Sequence, residues 1–428
     1  MRVYKPIILY LPDLLVKELD KYLIKHPPSF KFQVVYFYFV IHYLTKMQIQ
    51  YKKDEYFFLN RDYLKTITAS NIDRYIKILR AGEFILSDNI YTPGVKRLKY
   101  KINEKFIKGL TTLELKQDSK LSKNIINQCY RGKSHYSRLK PYLRAMSNEL
   151  MKVELDYEKA IKWVETNAND NQKLSYLTSI NHIKDKRFRY FKRNKTNKRL
   201  DTNFTNLKSD LRQFIIGDYV SIDLKNSQPF LLSVLIDNII NNKDTLCCYL
   251  AKKYIVKAFG IKRIKQVLLI RQNQEKHKMA KLSLYNTLVQ KGLLYDNLVK
   301  DFELSRKETK DILLVVFFSR NECETKSGYT ITPYKKDKEV FASVFPFVYE
   351  IIKALKDKDH RTLPIYLQRL ESYLFIDCIA KELVDNGIIP FTIHDSVIVK
   401  AEHQAKTIEI MNGVFKKKIG VIPSFEVK

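Results

Sequence analysis

Cysteine is scarce in this 428-residue chain. The five cysteines, at 129, 247, 248, 323 and 378, form no CxxC pair and no metal-ligand spacing. That argues against a disulfide framework and a structural zinc site, and it points to a reducing compartment. The adjacent Cys247 and Cys248 read as small apolar residues in a helix. Long apolar runs are missing too. The most apolar stretch, Phe32 to Leu44, is too short and too aromatic to span a bilayer. The opening MRVYKPIILYLPDLLVKELD reaches an acidic residue by position 13 and has no small-residue cleavage site, which makes it a poor secretory signal. A soluble, cytoplasmic protein with no membrane partner is expected. No internal repeat or low-complexity segment stands out. Negative charge is also in short supply, with 46 Asp and Glu against 77 Lys and Arg, a formal net charge of +31. A surplus of that size calls for a polyanionic partner, and nucleic acid is the usual one.

What is present is globular in character: 45% hydrophobic and 12% aromatic residues, enough over this length for two or three domains. Residues 1 to about 50 read as amphipathic helices broken at HPPS. Between 56 and 103 the pattern changes. Leu64–Thr68 and Ile72–Leu79 are short helix patterns separated by Ala69-Ser70-Asn71. Two alternating strands then flank the turn DNIYTPGVK. Helix, turn, helix and basic hairpin together predict a winged helix-turn-helix, with Arg74 and Lys77 on its second helix and Lys96 and Arg97 in the wing facing DNA. Residues 104 to about 175 read as helical and polar, with NANDNQ (167–172) as a flexible joint. From Lys184 to Arg212 there are eleven Lys or Arg against three Asp, interleaved with Phe188, Tyr190, Phe191 and Phe204. Such a segment suits a groove that tracks a phosphate backbone and stacks bases. The expected division is 1–110, 111–183 and 184–428.

Candidate chemistry lies in the last part. YVSIDLKNSQPFLLSVLI (219–236) predicts a short strand that delivers Asp223 at its end and then turns into an apolar helix. FTIHDSVIVK (391–400) predicts two strands around a tight His394-Asp395 turn. An aspartate at a strand end and another at a hairpin tip can converge on one sheet edge, where two carboxylates can hold two divalent metals. Mg²⁺ suits that work, with Mn²⁺ as an alternative. In SRKETKDILLVVFFS (305–319), Arg306, Lys310, Leu314 and Phe318 recur every fourth residue along one helix face. Two cations followed by an apolar and an aromatic residue would meet a triphosphate, then a sugar and base.

Taken together, these segments resemble the motifs of family A DNA polymerases and the related single-subunit, phage-type RNA polymerases. The strand and helix around Asp223 resemble the first metal-binding motif, His394-Asp395 the second, and Arg306, Lys310 and Phe318 the nucleotide-binding fingers helix. KRLDTNFTNLKSDLR (198–212) is similar to the primer- and template-gripping segment, LQRLESYLFIDCIAKEL (367–383) to the palm helix before the second motif, and SFEVK to the final strand. The resemblance covers about residues 185–428. It implies an α+β right-hand core, a small antiparallel palm sheet with helical fingers, behind a mainly helical N-terminal region. It implies Asp223 and Asp395 as catalytic metal ligands, and Arg306 and Lys310 on the triphosphate, with Lys310 as the acid for the leaving pyrophosphate. Leu314, Phe318 and Gln228 would face the sugar and base. Arg199, Thr202, Arg212, Gln368 and His394 would touch primer or template, and Glu371 is a further palm polar group.

The chain also departs from the family pattern. Phe318-Ser319 stands where Tyr-Gly is usual, Gln228 where a glutamate excludes the ribose 2′-hydroxyl, and HDS where DNA polymerases carry HDE. No DxE-bearing exonuclease domain precedes the core, so proofreading is not expected. The leading expectation is a compact DNA-directed DNA polymerase that takes primer-template DNA and nucleoside triphosphates, alongside replication proteins not identified from the sequence. Two alternatives remain open: a single-subunit RNA polymerase or primase, and a non-catalytic DNA-binding replication initiator.

Overall fold

In a computed structural model the chain folds as a mixture of helices and small antiparallel sheets. The structure describes residues 7–51, 55–90, 98–107, 109–116, 118–129, 136–243, 245–272, 276–302, 304–324 and 329–428. It divides into two compact units. The first comprises Met1–Leu139, Met151–Tyr190 and Asn206–Ile216, and the second Lys140–Leu150, Phe191–Thr205 and Gly217–Lys428. Among the described residues no helix is long and apolar enough to cross a membrane.

The first unit is built around the helix Val34–Tyr51, whose residues Tyr36 to Ile41 are all buried. A helix apolar on every side belongs inside a core. Next to it in sequence lies a pair of helices, Arg61–Thr68 and Ile72–Ala81, joined by Ala69 in the left-handed region at φ 49°. The Asn60 side chain caps the first by accepting from the Tyr63 N–H at 3.0 Å. Strands Ile85–Ser87 and Lys99–Ile102 pair antiparallel, with Phe57–Phe58 on the other edge. Arg74 and Lys77 are exposed on the second helix. Lys96 and Arg97 lie outside the described residues.

Four local readings are corrected. Residues Ile7–Pro12 form a strand, not a helix, paired antiparallel with Leu110–Leu115, which is likewise a strand within a stretch read as helical. The run IILYLP is continuously apolar, so periodicity could not separate the two states. NANDNQ is a capped junction and not a loose joint: the Asn169 side chain accepts from the Gln172 N–H at 3.0 Å, and Gln172 returns a bond to the Asn169 N–H. Cys247 and Cys248 lie at one tight helical turn, Cys248–Leu250, with Cys247 buried and Cys248 exposed.

The second unit carries a four-stranded antiparallel sheet in the order Phe391–Ile393, Ser396–Lys400, Tyr219–Leu224, Phe425–Val427. Alternation along the central strand sends Ile222 and Leu224 into the core and leaves Ser221 and Asp223 on the other face. The core continues through the helix Ser227–Asn241, whose Phe230, Leu231, Leu232, Leu235 and Ile236 are fully enclosed. Each such side chain contributes about 1.5–3 kcal/mol through burial. The helix Thr362–Ser372 runs on through wider π-type turns over Tyr373–Ala380.

Candidate active site

Asp223 reaches the sheet surface because it ends the central strand. Ser396 stands opposite it on one neighbouring strand and Glu426 on the other. The Leu224 N–H donates to the carbonyl of Asp395 at 3.0 Å, so the hairpin turn abuts the strand end and the two aspartates occupy adjoining positions. His394 makes that tight turn in the left-handed region, φ 56°, and is exposed beside Asp395.

The two carboxyls are tuned apart. Burial pushes Asp223 up, but hydrogen bonds from Lys428, Ser221 and Ser396 outweigh it and hold the group below its ordinary value. Lys428 Nζ lies 2.7 Å from one Asp223 oxygen, and Ser221 Oγ donates to the other at 2.6 Å. Asp395 is shifted up, chiefly by burial, with the neighbouring charge of Asp223 adding to it and Arg199 and Lys310 opposing. Among the described residues no cluster of three or more His, Cys, Asp or Glu is arranged to hold a metal. Two hard carboxylates nonetheless fit Mg²⁺, which takes one or two carboxylates and completes its shell with water and substrate phosphates.

A cavity of about 510 Å³ opens over the pair. Asp223, Asp395, Gln228, Arg306, Lys310, Leu314 and Phe318 all line it, together with Asn226 and Tyr295. The helix Arg306–Phe318 starts with a capping box in which Ser305 and Glu308 bond each other's backbone N–H. This fixes the first turn and so aims Arg306 and Lys310. Arg306 Nε lies 2.9 Å from Asp296 in an exposed pair, which is weak enough to exchange for a ligand.

Among the described residues, two polar atoms of cavity-lining side chains have no partner. Asn226, only 6% exposed, leaves Nδ2 unbonded, and Gln228 leaves Oε1 unbonded. Gln228 is held by its other end: Nε2 donates to Glu371 at 2.7 Å. Glu371 is 1% exposed and also accepts from Arg199, at 2.8 Å to Nε and 2.7 Å to a terminal nitrogen, and from Ser227 at 3.3 Å. Burial raises Glu371 to about 7, against the opposing Arg199. A buried donor and a buried acceptor without partners are uncommon in a folded protein.

The remaining expected residues lie elsewhere. The guanidinium of Arg199 is engaged by Glu371. Thr202 is buried and locked in reciprocal bonds with Thr205. Gln368 is half-buried on the Thr362–Ser372 helix and is not among the cavity-lining residues. Arg212 belongs to the first unit, where its Nε donates to the Leu207 carbonyl at 3.3 Å. The basic and aromatic track is also different from its sequence appearance. Phe188, Phe191 and Phe204 are buried and so do not offer stacking surfaces, while Arg193 pairs with Asp377 at 2.6 Å. Alternating aromatics among lysines look alike whether they face bases or a core. Residues missed from the sequence are Asn226, Ser221 and Lys428. Only Asn226, in the left-handed region at φ 53° between strand and helix, carried a local signal.

No family model matches this sequence, and no curated protein matches it. Among solved structures the chain is similar to the POL domain of Pol1 from M. smegmatis, in complex with DNA primer-template and dNTP. The identity is 12%, the match covers 71% of this chain and 65% of that one, and the TM-score is 0.25. The chain thus spans just under two thirds of the length of that structure.

Proposed function

We propose that the protein is a template-directed nucleotidyltransferase, a compact DNA-directed DNA polymerase that works with two divalent metals at Asp223 and Asp395. One observation carries the reading: Asp223, Asp395, Arg306, Lys310, Phe318 and Gln228, drawn from segments between residues 223 and 395, line a single cavity of about 510 Å³. Arg306 and Lys310 supply the positive wall for a triphosphate, and Lys310 is the proton donor to the departing pyrophosphate. Phe318 stacks near the nascent base pair, while Asn226 and Gln228 offer a donor and an acceptor to the sugar. Bound Mg²⁺ would activate a 3′-hydroxyl and neutralise the leaving phosphates. Arg74 and Lys77, exposed on the Ile72–Ala81 helix, fit phosphate contacts by the first unit.

The test is primer extension with Mg²⁺ on a primed DNA template. The wild-type chain should extend the primer, and Asp223→Ala or Asp395→Ala should lower the rate by at least a thousandfold while leaving DNA binding within a few fold. Retained extension in either variant would overturn the site.

A second reading, synthesis from ribonucleotides, is favoured by the unbonded Gln228 Oε1. With its amide nitrogen tied to Glu371, that oxygen is an acceptor available to a 2′-hydroxyl. Parallel extensions with dNTPs and with NTPs decide between the two sugars.

A further inference from the structure

A second cavity in the same unit shares no lining residue with the first. It measures about 1600 Å³ and lies between the starts of the helices Ile261–Gln272 and Thr362–Ser372, the end of the helix Pro346–Lys356, and residues 320–322. Its wall carries an excess of Lys and Arg over the four carboxylates that also line it, those of Glu322, Glu350, Asp357 and Asp359. Lys257, Lys262, Arg320, Lys353 and Lys358 are exposed along it, and no acidic group pairs with them among the described residues. Arg263 also lines it, with an enclosed Nε that has no partner. His360, also in the wall, is held below its ordinary value by burial first and then by the charge of Arg320, with Asp359 opposing.

Backbone groups add to the side chains. Neither of the two helices that start here has an acidic residue in its first turn, and the second has no side-chain cap. The first turns themselves thus hold no carboxylate, although Asp359 accepts from the Arg361 N–H at 3.0 Å just before the second helix. Gly260, at φ +81°, stands before the first of them with nothing within 4 Å of where a side chain would begin. Backbone there is open to close approach.

We propose that this groove is a phosphate-binding site distinct from the candidate active site. Its ligand is a phosphate-rich anion, whether the backbone of a single nucleic-acid strand or a free polyphosphate. The volume exceeds the roughly 300–1,000 Å³ of small-molecule pockets, which favours an extended strand. Among the described residues Phe259 is the one Phe, Tyr or Trp lining the groove, and it is buried. Recognition is therefore by charge along the backbone, without base stacking or sequence preference. The site stands independently of the polymerase reading, because binding here requires neither metal nor nucleotide addition.

The experiment compares two full-length triple variants of equal net charge. One is Lys262→Glu, Arg320→Glu and Lys353→Glu in the groove. The other is Lys406→Glu, Lys416→Glu and Lys417→Glu, at exposed positions of the helix Gln404–Ile419, outside both cavities. Binding of a labelled 12-nucleotide single strand, and separately of inorganic tripolyphosphate, is measured without Mg²⁺ across a salt series. Circular dichroism verifies that both variants fold. The groove variant should bind the strand at least tenfold more weakly than the other. Its plot of log affinity against log salt should also be shallower by about 2, at about 0.7 per lost phosphate contact. Loss confined to the oligonucleotide identifies a strand site, and parallel loss of tripolyphosphate binding identifies a general polyphosphate site. Equal affinities and slopes in the two variants, for both probes, would overturn the proposal.

Discussion

Glu371 shows how much chemistry one buried carboxyl can organise. It fixes Arg199 on one oxygen and Gln228 on the other, and through Gln228 it decides which amide atom is left unbonded. Its pKa is raised from 4.5 to about 7, first by burial. Between those values the folded chain holds a proton that the unfolded chain has released. Its contribution to stability is therefore complete below about pH 4.5 and is lost as pH rises through about 7. Glu371→Gln should flatten that fall. Melting temperatures of variant and wild type should agree near pH 4.5, where both side chains are neutral in the fold, and diverge toward pH 8, where only the wild-type carboxyl has ionised. A constant difference across the range would show that this carboxyl does not titrate there.

The helix Arg306–Phe318 depends on its first turn, since that is where its cations project. Ser305 accepts from the Glu308 N–H, and Glu308 accepts from the Ser305 N–H and hydroxyl. Ser305→Ala removes the cap at a cost of about 1 kcal/mol. Under the polymerase reading, fraying of that turn should raise KM for the incoming nucleotide several-fold with little change in kcat, and Ser305→Thr should restore it. A change in kcat alone would place the effect beyond the first turn. The hairpin behaves differently. Its two-residue turn, His394-Asp395, is set by the pairing of Ile393 with Ser396, so the aspartate is aimed by register and not by a cap.

For the whole molecule the excess of 31 positive charges matters most. Not all of it faces outward. Arg189 is buried against backbone carbonyls, Arg193 and Arg199 are held by carboxylates, and Lys356 donates to the Val316 carbonyl, with burial lowering its pKa to about 7. The exposed remainder still predicts strongly salt-dependent binding. If six to ten phosphates are contacted, affinity for duplex primer-template should fall by about 10³–10⁵ between 50 and 200 mM salt. A fall of less than tenfold in an anisotropy titration would show that the surplus charge is not aimed at nucleic acid.

Much of the candidate site was legible locally. A strand that ends in Asp223 and runs into an apolar helix, a two-residue turn that presents Asp395, and a four-residue spacing from Arg306 to Phe318 are all short-range patterns, and the corresponding elements formed where the patterns placed them. Local pattern failed where two states share one appearance. IILYLP pairs as a strand because Leu110–Leu115 lies beside it. Phe188, Phe191 and Phe204 are buried because their neighbours pack over them. Around the candidate site, element types follow from neighbours in the chain. The Lys428–Asp223 contact, the Glu371–Gln228 lock and the unbonded Asn226 amide depend instead on sheet register and burial, which bring together groups as many as 205 residues apart. No spacing along a sequence encodes a distance through space of that kind.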